Sequence, residues 1–200
     1  MLNLNLHALK KKRIIIFASG GGSNTKKIIE YFSQPNSLAE VILVVSNKSS
    51  APVLAIAREK GVSTKVASDS VLNSDEFIKT LKDADPSLIV LAGFLLKIPK
   101  KFIQSFNNAI VNIHPALLPK YGGKGMYGMN VHKAVVEAGE SKTGMTIHWV
   151  NENYDEGLII EQKECSVLPA DNAEDVAKRV LELEHEYYPK TIEKLLKYGI

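Results

Sequence analysis

The stretch "IIIFASGGGSNT", Ile14 to Thr25, carries the fold. Five apolar residues, Ile14 to Ala18, run without a polar break. A strand reads this way when both of its faces are buried, as in a parallel sheet. Gly20, Gly21 and Gly22 end the run, and Ile28, Ile29 and Phe32 follow at helical spacing. Strand, glycine turn and helix in that order predict a βα unit. Its turn lies at the carboxyl end of the strand, where open α/β sheets bind ligands.

Outward from that unit the pattern repeats. Strands are predicted at Val41 to Val45, near Lys65 to Ala67, at Leu88 to Ala92 and at Ala109 to Ile113. Helices are predicted from Pro52 to Lys60, with Pro at the first turn, and from Ser74, an N-cap, to about Asp83. After Pro115 a glycine-rich loop reaches about Asn130, and a short helix runs to Gly139. Gly144 to Val150 alternates, with Met145, Ile147 and Trp149 on one face and Thr146, His148 and Val150 on the other. Another strand spans Leu158 to Val167. Asp171 is read as an N-cap with Glu174 returning the bond. Val176, Val180, Leu183 and Tyr187 stripe the helix that follows, and Pro189 is read as kinking it or starting a second segment. The fold class is α/β: a Rossmann-like, mostly parallel sheet with helices on both faces and an antiparallel C-terminal addition. Residues 1–13 read as an N-terminal extension and 14–200 as a single domain.

Composition narrows the setting. With 200 residues, 45% hydrophobic and 24% charged, the chain can bury a core without staples. Cys165 is the only cysteine, so no intrachain disulfide can form, and a reducing, cytoplasmic location is expected. The net charge is +3, but Lys10, Lys11, Lys12 and Arg13 account for it. The remainder is close to neutral, which argues against a nucleic-acid-binding face. No apolar run approaches membrane-spanning length. The five histidines, His7, His114, His132, His148 and His185, form no metal-type cluster, and no metal is expected.

Two motifs carry chemistry. The first is the glycine turn. A helix N-terminus offers free N–H groups and a positive dipole end to an anion, and Ser23 and Asn24 add donors. Gly20 and Gly22 match the start of a dinucleotide fingerprint, but Thr25 stands where the third glycine belongs. No acidic residue follows the second strand to hold a ribose, so a phosphomonoester is favoured over NAD. The second is "IVNIHP", Ile110 to Pro115. Asn112 and His114, two apart, share one face of a strand. An amide donor and an imidazole suit a reaction in which a carbonyl oxygen becomes negative. A turn-forming Asn beside a hydrogen-bonded His is the plainer reading of that pair alone. No Gly-x-Ser-x-Gly elbow is present, which sets covalent catalysis aside.

Taken together with "SNK" at Ser46 to Lys48, "LAGF" at Leu91 to Phe94, "NIHPALLPKY" at Asn112 to Tyr121, "GMTIHWV" at Gly144 to Val150, "YDEG" at Tyr154 to Gly157 and "EHEYYP" at Glu184 to Pro189, the chain resembles the phosphoribosylglycinamide formyltransferases. These are folate-dependent formyltransferases of purine biosynthesis. The resemblance implies transfer of a formyl group from 10-formyltetrahydrofolate to the amine of glycinamide ribonucleotide through a tetrahedral intermediate. It assigns catalysis to Asn112, a protonated His114 and Asp155, with Asp155 raising the imidazole pKa and assisting proton transfer. It assigns the ribonucleotide to Gly22, Ser23, Asn24 and Glu184, and the folate to Leu95, Leu96, Lys97, Ile98 and Asn112. On sequence alone Asp155 would be an Asx-turn residue and Glu184 a solvated helix charge. His148 is read as standing near Asp155, in a supporting or a structural role.

The chain departs from the family pattern in places. Many relatives have Met-Arg-Ile-Leu where Leu95 to Ile98 stand, so the arginine contact is lost. Asp75 replaces a residue that is commonly basic. The loop Gly122 to Asn130 is longer than in many members. A tRNA formyltransferase would add a C-terminal nucleic-acid-binding domain, and a formyltetrahydrofolate hydrolase an N-terminal regulatory one; neither is expected. The phosphate loop argues against a sugar-nucleotide formyltransferase. Asp155 argues against a non-catalytic phosphate-binding module, which would need no carboxylate beside Asn112 and His114. The expected partners are small molecules, without nucleic acid or membrane, and a homodimer is compatible with the sequence.

Overall fold

The structure is a computed structural model that describes residues 10–106 and 109–199. Seven strands form one sheet in the order β3-β2-β1-β4-β5-β6-β7. The strands are β1 (Lys12–Phe17), β2 (Ala39–Ser46), β3 (Ser63–Val66), β4 (Leu88–Leu91), β5 (Ile110–His114), β6 (Lys142–Trp149) and β7 (Ile159–Ser166). The first five pair in parallel, and β6 and β7 add antiparallel. The expected mixed sheet is observed.

Period-two alternation explains why β1 is apolar throughout. Ile14, Ile16 and Ala18 enter one core, and Ile15 and Phe17 enter the other. The first core holds α1 (Ser23–Phe32), α2 (Pro52–Glu59), α6 (Met129–Glu137) and α7 (Ala173–Tyr198) against one face. The second holds α4 (Asp75–Asp83) and α5 (Lys100–Ser105) against the other. Each fully buried Ile or Phe contributes roughly 1.5–3 kcal/mol by leaving water. The turn α3 (Asp69–Leu72), capped by the Ser68 hydroxyl, was not expected.

Ser74 caps α4 as read, its hydroxyl accepting from the Phe77 N–H. The α7 cap differs by one residue. Asn172 is the N-cap and Asp175 closes the box. Asp171 instead accepts from the Leu168 N–H and pairs with Arg179 at 2.7 Å. Pro189 does not divide the helix: α7 runs 26 residues through it. Its ring is buried against the core, and the His185 carbonyl forgoes its i+4 donor. The strand β1 also takes in Lys12 and Arg13, which the sequence pattern placed in the extension.

The order β2-β1-β4 makes the β1/β4 boundary the switch point of the sheet. The chain leaves β1 toward one face and β4 toward the other. A crevice opens between them at the carboxyl ends.

Candidate active site

At the end of β1 the glycine turn starts α1. Gly22 has φ +78°, and a Cβ there would lie 2.5 Å from a Val53 methyl carbon, so only glycine fits. The helix has no side-chain cap and no acidic residue in its first turn. Among the described residues, the N–H groups of Ser23, Asn24 and Thr25 have no acceptor. An unscreened helix N-terminus therefore faces the solvent at the crevice.

On β5, Asn112 lies opposite His148 of β6, and His114 opposite Thr146. The Asn112 amide nitrogen and His148 Nε2 are 3.1 Å apart. His148 Nδ1 lies 2.9 Å from the Trp149 carbonyl, which can only accept. The proton of His148 is therefore on Nδ1, and Nε2 accepts from Asn112. That contact fixes the amide and leaves its second N–H for the cleft.

His114 is 3% exposed. Its Nε2 donates to the Tyr121 carbonyl at 2.8 Å, and its Nδ1 stands 3.6 Å from Asp155 Oδ2. Asp155, at φ +58°, accepts from the Gly123 N–H at 2.9 Å and lies 3.7 Å from His148 Nε2. Its carboxylate so reaches across to the glycine-rich loop rather than closing an Asx-turn. Burial pushes the Asp155 carboxyl up, but its polar neighbours, the Gly123 N–H among them, more than offset it, and it stays below the ordinary value.

His114 does not follow the sequence expectation of a raised pKa. Burial lowers it, and Asp155 and the Tyr121 carbonyl only partly oppose that. The ring rests neutral beside an ionised Asp155. Nδ1 and Oδ2 then both present lone pairs, a receptacle for one proton.

Glu184 is not a solvated charge. It is 7% exposed and accepts from the Asn24 amide at 2.6 Å. Burial raises its pKa from 4.5 to about 7. Between those values the unfolded chain ionises and the folded one keeps its proton, so stability falls as pH rises. Above pH ~7 the full penalty is on the order of 3 kcal/mol. We expect Glu184→Gln to raise the urea midpoint at pH 8 and to flatten its decline between pH 4.5 and 7. An unchanged pH profile would contradict the burial argument.

These groups meet in one cleft of about 820 Å³. Asn24, Leu95, Leu96, Lys97, Ile98, Asn112, His114, Asp155 and Glu184 all line it; Gly22 and Ser23, at the start of α1, do not. Lys97 lies 5.2 Å over the Tyr154 ring across the mouth. Asp75 pairs with Lys101 and does not line the cleft. His132, to which the sequence pattern gives no role, lines it too, buried and with no partner for Nδ1 among the described residues. Its place in the periodic part of α6, between Val131 and Val135, was the available signal. Among the described residues no group of three His, Cys, Asp or Glu could hold a metal.

The sequence pattern of the formyl transferase family matches residues 12–192. The chain belongs to this family. It is 42% identical over 193 residues to the chloroplastic phosphoribosylglycinamide formyltransferase of Arabidopsis thaliana, covering 93% of this chain and 66% of that one. Against the Haemophilus influenzae phosphoribosylglycinamide formyltransferase it is 35% identical, covering 90% and 85%. The match thus spans just under two thirds of the length of the plant relatives, 66% of the Arabidopsis chain and 64% of that from Vigna unguiculata. The crystal structure of the Brucella melitensis phosphoribosylglycinamide formyltransferase superposes with TM-score 0.84 at 36% identity, covering 96% and 98%. That from Anaplasma phagocytophilum gives 0.86 at 34%, covering 94% and 88%.

Proposed function

We propose that this chain transfers the formyl group of 10-formyltetrahydrofolate to the amine of glycinamide ribonucleotide, a step of purine biosynthesis. The observation that carries the reading is the meeting of Asn112, His114 and Asp155 in one cleft with the bare N-terminus of α1 at its edge. A cleft of about 820 Å³ with Phe94, Leu95, Ile98 and Val150 in its wall suits a folate-sized aromatic ligand. No helix among the described residues is long and apolar enough to cross a membrane. Action in the cytoplasm on small molecules belongs to the same proposal.

The chain's own groups suffice for the proton economy. The substrate amine attacks the formyl carbon, and the carbonyl pair moves to oxygen. The free N–H of Asn112 donates to that oxygen; one such donor is worth roughly 3–4 kcal/mol. The amine proton passes to His114 Nδ1, and the ionised Asp155 stabilises the imidazolium. The imidazolium returns the proton to the folate nitrogen as the carbon–nitrogen bond breaks.

Absorbance of the deformylated folate, followed with and without the ribonucleotide, tests this. Ribonucleotide-dependent turnover is expected; turnover with water alone would refute the acceptor. Ser23→Asp adds a second check with opposite signs. A carboxylate at the start of α1 favours the helix by about 0.3–1 kcal/mol. It repels a phosphate, so KM for the ribonucleotide should rise about tenfold or more. An unchanged KM would count against the phosphate site.

A further inference from the structure

Ser19 has no role in the chemistry above, yet it joins the two loops that line opposite sides of the crevice. It directly follows β1 and the buried Ala18, and is itself 4% exposed. Its N–H donates to the Gly93 carbonyl at 3.0 Å, and its hydroxyl accepts from the Leu95 N–H at 2.9 Å. The last regular rung between the strands is the Ala92 N–H to the Phe17 carbonyl at 2.8 Å. Ser19 therefore extends the β1–β4 ladder after both strands have ended, with a side-chain oxygen standing in for a backbone carbonyl. Gly20 lies on one side of it and Gly93 to Ile98 on the other, and both line the cleft.

We infer that Ser19 is a positioning residue that couples the two halves of the site. An anion at the glycine turn orders Ser19, and through its hydroxyl orders the Leu95 N–H and the segment against which the aromatic ligand lies. The coupling is reciprocal: each ligand tightens the other by the same factor. Loss of the hydroxyl strands the Leu95 N–H and leaves the Ser19 N–H to the Gly93 carbonyl as the remaining link between the two loops, with Asn112, His114 and Asp155 in place. The inference rests on the proposed pair of substrates.

The test is a binding cycle by calorimetry with glycinamide ribonucleotide and unformylated tetrahydrofolate, each measured alone and with the other saturating. For the wild type we expect each to tighten the other by about fivefold or more. For Ser19→Ala the ribonucleotide alone binds within about twofold of wild type, and the coupling factor falls to about one. Amide exchange reads the same link directly: the Leu95 amide gains protection on adding the ribonucleotide to the wild type, and not in Ser19→Ala. A wild-type coupling factor of one, or the same factor in Ser19→Ala, overturns the inference and leaves the formyl-transfer reading intact. Failure of the wild type to bind the ribonucleotide overturns both. A thermal melt of Ser19→Ala close to wild type shows that the variant compared is folded; if it is not, the exchange at Leu95 in the wild type alone decides, because absence of ligand-induced protection there refutes the link.

Discussion

Alanine in place of His114 is expected to lower kcat for the proposed formyl transfer by about 10³-fold, with KM for both proposed substrates little changed. Among the described residues the ring makes one hydrogen bond, to the Tyr121 carbonyl, and it faces Asp155 across 3.6 Å. Its loss would remove the proposed proton acceptor and leave a hole at the cleft wall that water can enter, so the fold should persist. Asp155→Asn separates charge from shape. It keeps a group at the Gly123 N–H but removes the negative charge that partly offsets burial at His114. The His114 pKa then falls further. The acid limb of kcat, which tracks His114 becoming protonated before attack, moves to lower pH while the plateau drops by about 10²-fold or more. The double variant should be little worse than His114→Ala, because the two groups act as one receptacle. Near-wild-type turnover in His114→Ala, or an acid limb that moves upward in Asp155→Asn, would end the mechanism.

Much of this arrangement was readable from the chain because the signals are local. A continuous apolar run, a glycine turn and a helical stripe each lie within one element, and β1 to α1 bears all three. The pair Asn112 and His114 needed only the two-residue period of β5. What failed depended on a second element. A stripe through Leu183 and Tyr187 puts Glu184 on the surface. The buried stripe is Val176, Val180, Glu184, Tyr188 and Ile192, spaced by four. On that spacing Glu184 belongs to the core, and Tyr188, whose hydroxyl donates to the Leu91 carbonyl at 2.9 Å, holds the helix to the sheet. The His114 pKa departs from the sequence expectation for a related reason. The carboxylate neighbour is visible in a motif, but the burial that outweighs it comes from loops that converge only on folding. The α7 cap slipped by one because Asp171 and Asn172 are both good N-caps, and the choice was made by Arg179, two turns along the helix, which takes Asp171.

Gly157→Ala should be the most damaging alanine substitution among the described glycines. Gly157 lies between Asp155 and the start of β7, and a Cβ there would run into the backbone carbonyl of Trp149. Backbone cannot rotate aside as a side chain can, so the start of β7 must move. Two contacts are at stake: the Trp149 N–H to the Leu158 carbonyl at 2.9 Å, and the Trp149 carbonyl that accepts from His148 Nδ1. Overpacking of this kind costs about 3 kcal/mol, so the urea midpoint falls while the m-value stays constant. The chemistry suffers separately. Once its Nδ1 acceptor is displaced, His148 can change tautomer, and a proton on Nε2 would oppose the Asn112 N–H instead of accepting from it. The amide then turns, and its donor leaves the place proposed for the formyl oxygen. Activity per folded molecule should fall about tenfold or more, in kcat rather than KM. Gly21→Ala is the matched control for stability, since its added methyl meets nothing within 4 Å. If Gly157→Ala keeps both the urea midpoint and kcat of the wild type, the tight approach of Gly157 to Trp149 does not hold the Asn112–His148 pair in place.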